Sequence, residues 1–396
     1  MLKILTFSTL YPNAEYPNHG IFVENRIRKL AESGLAEITV AAPVGYFPFT
    51  SKRFGQYASY ARTPRKETRH GLDVYHPRYL VLPKIGMNVA PCLMYHSLRA
   101  SMNELRARIS EFDLIDAHYF YPDGVVAARF ARDWDLPFTV TARGSDINEI
   151  ANYAGPRKQI LSAARQAAAI ITVSQALKDR LIELGLDNNH IHVLRNGVDL
   201  ELFQPKDRQS CRNELRVHGR LILSVGHLIP RKGHDLVIRA LTLLPDMDLI
   251  IVGDGPERGK LERLAIELGV KDRVRFLGQI AHADLPDIYS AADMLVLASS
   301  REGWANVLLE AMACGTPVIA SDVWGTKEVV KESAAGKLIS DRTPEAIANA
   351  AQSLFDHMPS RTSTRKYAER FSWQETTQGQ LHVFASITKT PDSRAK

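Results

Sequence analysis

Glu302 and Glu310 stand eight residues apart, around Gly303-Trp304-Ala305-Asn306, which leads into a helix-forming run. Backbone N–H groups at a helix start lack intrahelical partners and attract anions. Carboxylates repel phosphate but accept hydrogen bonds from sugar hydroxyls. Amides for phosphate beside carboxylates for hydroxyls would suit a sugar nucleotide. The plainer reading is two solvent-facing glutamates favoured by the helix dipole. Upstream, the apolar run 221–225 enters Gly226-His227-Leu228-Ile229-Pro230-Arg231-Lys232-Gly233 and then another helix-forming segment. Gly226 permits close approach of backbone to ligand, Lys232 can supply a point charge and Arg231 a bidentate fork. Taken alone, such a loop reads as a surface connection with incidental charge. Gly253-Asp254-Gly255-Pro256 is a weaker sign of the same kind, with Pro256 suited to a first helical turn.

The first half offers Asp116-Ala117-His118 at the end of one strand-like run and Thr141-Ala142-Arg143-Gly144-Ser145-Asp146 at the end of the next. A lone His118 is more often structural. With Arg143 and Asp146 at a neighbouring strand end, it becomes a candidate site residue.

Short apolar, β-rich runs position these groups. In the first half they fall at 3–7, 37–42, 72–76, 114–118, 138–141, 169–173 and 192–194. Helix-forming stretches at 22–33, 93–109, 125–131 and 175–184 alternate with them; in the first, Phe22, Val23, Ile27, Leu30 and Ala31 follow a helical period. The pattern restarts after Asn196-Gly197-Val198-Asp199, with strands at 221–225, 248–252, 274–277, 294–298 and 318–320 and helices at 233–244, 257–268, 285–292 and 307–314. Alternation of this kind means a parallel sheet covered on both faces. The chain therefore reads as α/β, with two doubly wound Rossmann-like domains facing across a cleft and ligands expected at the strands' carboxyl ends. The expected division is 1–202, 203–372 and a final segment 373–396, a helix followed by a polar tail.

The 396 residues and 45% apolar content allow two full cores and exclude a disordered chain or a disulfide scaffold. Cys92, Cys211 and Cys314 have no C-x-x-C spacing and read as apolar fillers in a reducing compartment. The start of the chain is too short and polar for a signal peptide, and no run approaches a membrane span, so a cytoplasmic protein is expected. Residues 51–84 carry eight basic residues against Glu67 and Asp73, beside Tyr46, Phe47, Phe49, Phe54, Tyr57 and Tyr60. That segment, 46–84, is either a solvated loop region or a surface for anionic headgroups on the inner face of the cell membrane. No nucleic-acid motif accompanies the charge.

Together these residues resemble glycosyltransferase family 4, retaining enzymes of the GT-B fold. Glu302 to Val318 is similar to that family's E-x7-E motif and its continuation, and Asn196-Gly197-Val198-Asp199 with Phe203 and Pro205 to its interdomain signature. Residues 226–233 look like its diphosphate loop. Thr9-Leu10-Tyr11-Pro12 and His19-Gly20-Ile21-Phe22-Val23 are similar to bacterial polysaccharide-assembly members. The resemblance implies catalytic parts for Lys232, Arg231, Glu302 and His118. It implies donor contacts from Gly226, His227, Gly303, Trp304, Ala305, Asn306 and Glu310, and base contacts around Gly278, Gln279 and Ile280. Gly20, Arg143 and Asp146 would line the acceptor side. The last helix would cross back onto the first domain. Substrates would be a UDP- or GDP-linked sugar donor and a glycan or lipid-linked acceptor, with no cofactor and no metal. Three positions depart from the pattern: His227 stands where an arginine is usual, Arg143 where many members have histidine, and Trp324-Gly325 where two glycines are common. A dehydrogenase is disfavoured because the first strand leads to Tyr11-Pro12 and not to G-x-G-x-x-G. A sugar-nucleotide epimerase lacks the E-x7-E signature. A non-catalytic nucleotide-sugar-binding protein of the same fold is the alternative that retention of both glutamates opposes.

Overall fold

The computed structural model describes residues 1–81, 86–109 and 111–388, and forms two compact units. The first holds Met1–Arg195 and the chain from Gln374 on; the second is Asn196–Trp373.

In the first unit the strands are β1 (Leu2–Phe7), β2 (Ala36–Ala41), β3 (Val44–Gly45), β4 (Lys66–Arg69), β5 (Leu72–Tyr75), β6 (Arg78–Tyr79), β7 (Leu114–His118), β8 (Phe138–Ala142), β9 (Ala169–Thr172) and β10 (Ile191–Val193). Eight of them form one sheet in the order β10-β9-β8-β7-β1-β2-β5-β4, and β3 pairs with β6. Pairing in the large sheet is parallel except between β4 and β5. The charged β4 has no apolar alternation, which hid it from sequence; it exists by pairing antiparallel with β5. Strands β1, β7 and β8 are apolar along most of their length because helices cover both faces.

The second unit contains β11 (Arg220–Val225), β12 (Met247–Val252), β13 (Val274–Gly278), β14 (Met294–Leu297), β15 (Val318–Ser321) and β16 (Gly336–Ile339), all parallel in the order β13-β12-β11-β14-β15-β16. The helix Pro344–Asp356 covers this sheet, started by Thr343, whose hydroxyl accepts from the Ala346 N–H. The expected helix 233–244 is shorter, His234–Ala240, and tightens into a 3-10 turn at Leu241–Leu243.

In each sheet the strand order reverses beside the first strand of its unit: between β1 and β7, and between β11 and β14. A doubly wound sheet has its ligand crevice at the carboxyl ends flanking such a reversal. The loops after β1, β7, β11 and β14 therefore flank the two crevices.

The units divide at 195/196, seven residues before the expected 202/203. Segment 196–203 is tied into the second unit: the Trp304 indole donates to the Asn196 carbonyl at 3.1 Å, Val198 bridges to Ser372, and Arg365 donates to the Leu200 and Phe203 carbonyls. The last helix, Trp373–Thr388, has its Val383 and Phe384 buried in the first unit's core with Ile4, Val23 and Leu30. Among the described residues no helix is long and apolar enough to cross a membrane. Cys211 and Cys314 are buried and Cys92 is half-buried, all as free thiols. The expected tail at 389–396 lies outside the described residues.

Candidate active site

At the reversal in the second unit, two loops are fastened to each other. The Gly226 N–H donates to the Val252 carbonyl, and Leu228 donates to the Asp254 carbonyl, so the loop after β11 follows the strand edge. A 3-10 turn, Pro230–Lys232, then presents both cations. Gly233 ends it at φ +70, and a Cβ there would lie 2.2 Å from the Ala298 carbonyl oxygen, so glycine is required for the loop after β14 to come this close. The Ser300 N–H donates to the Arg231 carbonyl at 2.8 Å, closing the join.

The catalytic candidates meet here, and in an arrangement that spacing did not suggest. Lys232 Nζ donates to Glu302 Oε1 at 2.7 Å, and Ser299 Oγ donates to the same oxygen at 2.7 Å. Arg231 Nη1 donates to the Arg301 carbonyl at 2.9 Å and lies 3.8 Å from Glu302 Oε1. Lys232 and Glu302, expected to hold different parts of one ligand, hold each other. Glu302 is only 7% exposed, so its charge needs this compensation. An arriving diphosphate would compete with Glu302 for Lys232, leaving the carboxylate with Ser299 and capacity to accept from hydroxyls.

Glu310 sits within the helix Asn306–Ala313, 9% exposed. Tyr289 donates its hydroxyl to Oε2 at 2.8 Å, and His282 Nε2 is 3.1 Å from Oε1. The Phe203 ring packs 4.9 Å from His282 and 6.0 Å from Tyr289. Burial, then Glu310, holds the Tyr289 phenol well above its usual pKa, so it remains a donor. His282 lies just past Gly278, Gln279 and Ile280, so the segment expected at a base also delivers a partner for Glu310.

Within Gly303-Trp304-Ala305-Asn306 the side chains of Trp304 and Ala305 are buried, and Asn306 Oδ1 accepts from Asn196 Nδ2 at 3.3 Å. Their side chains anchor the segment, and its backbone is what remains for a ligand. Trp324 takes φ +38, a value unusual for a bulky residue, while a Cβ on Gly325 would lie 2.2 Å from the Gly303 carbonyl. His227 Nδ1 lies 2.5 Å from the Asp254 carbonyl, so that nitrogen carries the proton. His234, which sequence did not single out, is buried with Nδ1 2.9 Å from Ser224 Oγ, and burial beside Lys232 pushes it down to about 4.

At the reversal in the first unit, His118 and Arg143 come together: Arg143 Nη2 donates to His118 Nδ1 at 2.5 Å. His118 Nε2 lies 3.0 Å from Asp116 Oδ2. Burial, opposed by Asp116 and assisted by Arg143, pushes this imidazole down to about 4. Nδ1 is engaged by Arg143, while Nε2 sits near Asp116 without a hydrogen bond to it, so the ring is arranged to orient a neighbour. Asp146 is buried and its carboxylate accepts from the backbone N–H groups of Phe120, Arg143 and Gly144 at 2.8–3.2 Å. It locks the loops after β7 and β8 together, which replaces the expected ligand contact with a scaffolding one. Gly20 begins the helix Ile21–Glu32 at φ +71, and a Cβ there would lie 2.4 Å from the Leu10 carbonyl. Nearby, Asp123 Oδ2 accepts from the Thr9 N–H and hydroxyl at 2.7 and 2.9 Å, and burial pushes its carboxyl up to about 7. Asp123 and Ser299 were missed, though a polar residue inside an apolar stretch signals a buried role. Among the described residues no group of three or more His, Cys, Asp or Glu could hold a metal ion.

Comparison with known proteins matches residues 205–371 to the Glycosyl transferases group 1 model and residues 22–202 to the Glycosyltransferase Family 4 model. A teichuronic acid biosynthesis glycosyltransferase of Bacillus subtilis, TuaC, is 31% identical over 88% of both chains. The D-inositol 3-phosphate glycosyltransferase of Mycobacterium bovis is 32% identical over 68% of this chain and 61% of its own. Among solved structures, sucrose-phosphate synthase of Thermosynechococcus elongatus superposes with a TM-score of 0.82 at 22% identity, covering 98% of this chain and 99% of its own. Anabaena HepE, in complex with UDP-glucose, gives 0.75 at 22% identity, covering 98% and 100%. These two share the fold. Two domain models in tandem and a relative matched along nearly its whole length establish that the chain belongs to the GT-B glycosyltransferases, with a family 4 N-terminal domain and a group 1 C-terminal domain.

Proposed function

We propose that this glycosyltransferase transfers a hexose, with retention and without a metal, from a UDP- or GDP-linked donor to a hydroxyl of a glycan or lipid-linked acceptor during surface polysaccharide assembly. The observation that carries this reading is the Lys232–Glu302–Arg231 cluster at the strand-order reversal of the second unit. The anomeric carbon–phosphate oxygen bond breaks, the acceptor oxygen attacks from the same face, and the acceptor proton passes to the departing phosphate. Charge growing on that phosphate is met by Lys232, Arg231 and backbone amides, which is electrostatic catalysis. The teichuronic acid relative supports the polysaccharide part, and the HepE complex supports a UDP-linked donor. UDP or GDP is expected to raise the melting temperature in EDTA, and ligand at 100 times its Kd would stabilise by about 2.7 kcal/mol. NMR of the product should show the donor's anomeric configuration kept. Stabilisation that vanishes in EDTA and returns with magnesium or manganese would overturn the metal-independent reading.

The same proposal holds the enzyme against the inner face of an anionic membrane. Of fourteen exposed large apolar side chains among the described residues, seven lie between positions 46 and 89, Tyr46, Phe49 and Leu80 among them. Phe47 gathers Phe49, Phe54 and Tyr57 within 6 Å, ring centre to ring centre. The charge available is smaller than the count predicted. Arg62, Lys66 and Arg69 pair with Glu15, Asp73 and Glu24, and the half-buried Arg78 donates to the Thr63 carbonyl; beyond these, Lys52, Arg53 and Arg65 are exposed, and Lys84 lies outside the described residues. Contact should therefore lean on apolar insertion, with charge adding selectivity. Binding to anionic liposomes should fade with salt and weaken in Phe49→Ser. Equal binding to neutral and anionic vesicles would sink the idea.

A further inference from the structure

A chain of buried polar groups links the last helix to the first unit's site, and each hydrogen bond in it has a forced direction. Arginine only donates and carboxylate only accepts. Arg26 Nε donates to Gln380 Oε1 at 2.9 Å, which fixes the Gln380 amide with its NH2 turned away. That NH2 reaches Asp116 Oδ2 at 3.5 Å, and Thr139 Oγ1 donates to Asp116 Oδ1 at 2.7 Å. Because Arg143 donates to His118 Nδ1, that nitrogen must hold a lone pair. The imidazole proton is then on Nε2, which lies 3.0 Å from Asp116 Oδ2 outside hydrogen-bond geometry, so this link is electrostatic. Asp116, His118 and Gln380 are wholly buried, and Arg26 is 1% exposed. Arg26 is itself held by the Leu194 carbonyl at 3.0 Å, and the Arg143 guanidinium packs 5.5 Å from the Phe22 ring.

We propose that Gln380 and Asp116 are positioning residues that act through His118 on Arg143, so that the C-terminal helix sets the direction of the guanidinium at the carboxyl end of β8. The inference rests on the reading above that Arg143 belongs to the substrate site. Polar side chains buried on an otherwise apolar helix face are costly unless they specify an arrangement. Gln380 adds direction: it fits its amide between a fixed donor and a fixed acceptor, and leaves Asp116 Oδ2 shared between itself and the His118 ring.

The test is a double-mutant cycle on transfer kinetics, with Gln380→Met, Arg143→Gln and the double variant, each checked by circular dichroism for folding. Gln380→Met should lower kcat by about tenfold to a hundredfold while the donor KM stays put, as expected for a displaced substrate-orienting group. In the Arg143→Gln background the same change should have no further effect, whereas a general weakening of the fold would add to it. Additive losses, or a normal kcat in Gln380→Met when Arg143→Gln is impaired, would overturn the relay alone. A normal kcat in Arg143→Gln would overturn the site reading on which it rests. Should Gln380→Met fail to fold, the isosteric Asp116→Asn enters the same cycle with the same outcomes. The 15N spectrum of the imidazoles in the wild-type protein gives an independent readout: His118, assigned by its loss in His118→Asn, should be protonated on Nε2, and a proton on Nδ1 overturns the proposal.

Discussion

Lys232→Ala is expected to reduce turnover by about a hundredfold to a thousandfold while weakening donor binding much less. Lys232 would meet a diphosphate whose negative charge increases as the glycosidic bond breaks, so its attraction is greater in the transition state than in the ground state. A preorganised donor of this kind contributes about 3–4 kcal/mol. The resting pair with Glu302 sharpens the expectation. Lys232 is bonded to Glu302 at 2.7 Å, so donor binding would exchange one partner for another and gain little. The developing charge has no such offset. Glu302→Gln keeps the shape and removes the carboxylate charge, so it should fold, release Lys232 and still lose turnover, because the hydroxyl contacts weaken. Steady-state kinetics beside donor titration separates the two effects. Near-normal transfer by both folded variants, with the true donor and acceptor, would remove this cluster from the active site.

Arg361→Met should lower the melting temperature of the second unit by about 10 °C, from a loss of about 3–5 kcal/mol. Arg361 donates to the carbonyls of Ala292, Ser290 and Cys314 and to the Thr316 hydroxyl, all at 2.9–3.1 Å. These acceptors lie where the helices Leu285–Ala291 and Asn306–Ala313 end, and helix-end carbonyls have no intrahelical donor. Methionine fills the volume but donates nothing, so the acceptors are left buried and unsatisfied. Calorimetry reads the result, and a shift below about 2 °C would show that water replaces the guanidinium there.

Much of the second unit was legible from local pattern. The strands at 221–225 and 248–252 were recognisable as apolar runs followed by glycine, and the helix at 307–314 as a helix-forming run after Asn306. The same rules passed over β4, whose Lys66–Arg69 carries no apolar face, and β16, four residues whose pattern is too short to read. The helix Pro344–Asp356 carries a Thr-Pro start, a cap signal that is local to the sequence. In the site, Lys232, Glu302 and Glu310 were recognisable by type and spacing, but their partners Ser299, Tyr289 and His282 were not. Serine, tyrosine and histidine are common everywhere and acquire meaning only from what they face.

The two-unit α/β architecture, the loops that carry glycine and cations, and the family whose motifs they match can all be read from local stretches of chain. Period, capping and φ preference act over a few residues and are written locally. That Lys232 answers Glu302 across 70 positions, that Asp146 is committed to backbone N–H groups and that Gln380 reaches Asp116 across 264 emerges from the fold. Those pairings depend on the order of strands in a sheet and on which helix closes over it. The order arises from burying all the apolar faces together, so no short stretch of the chain contains it.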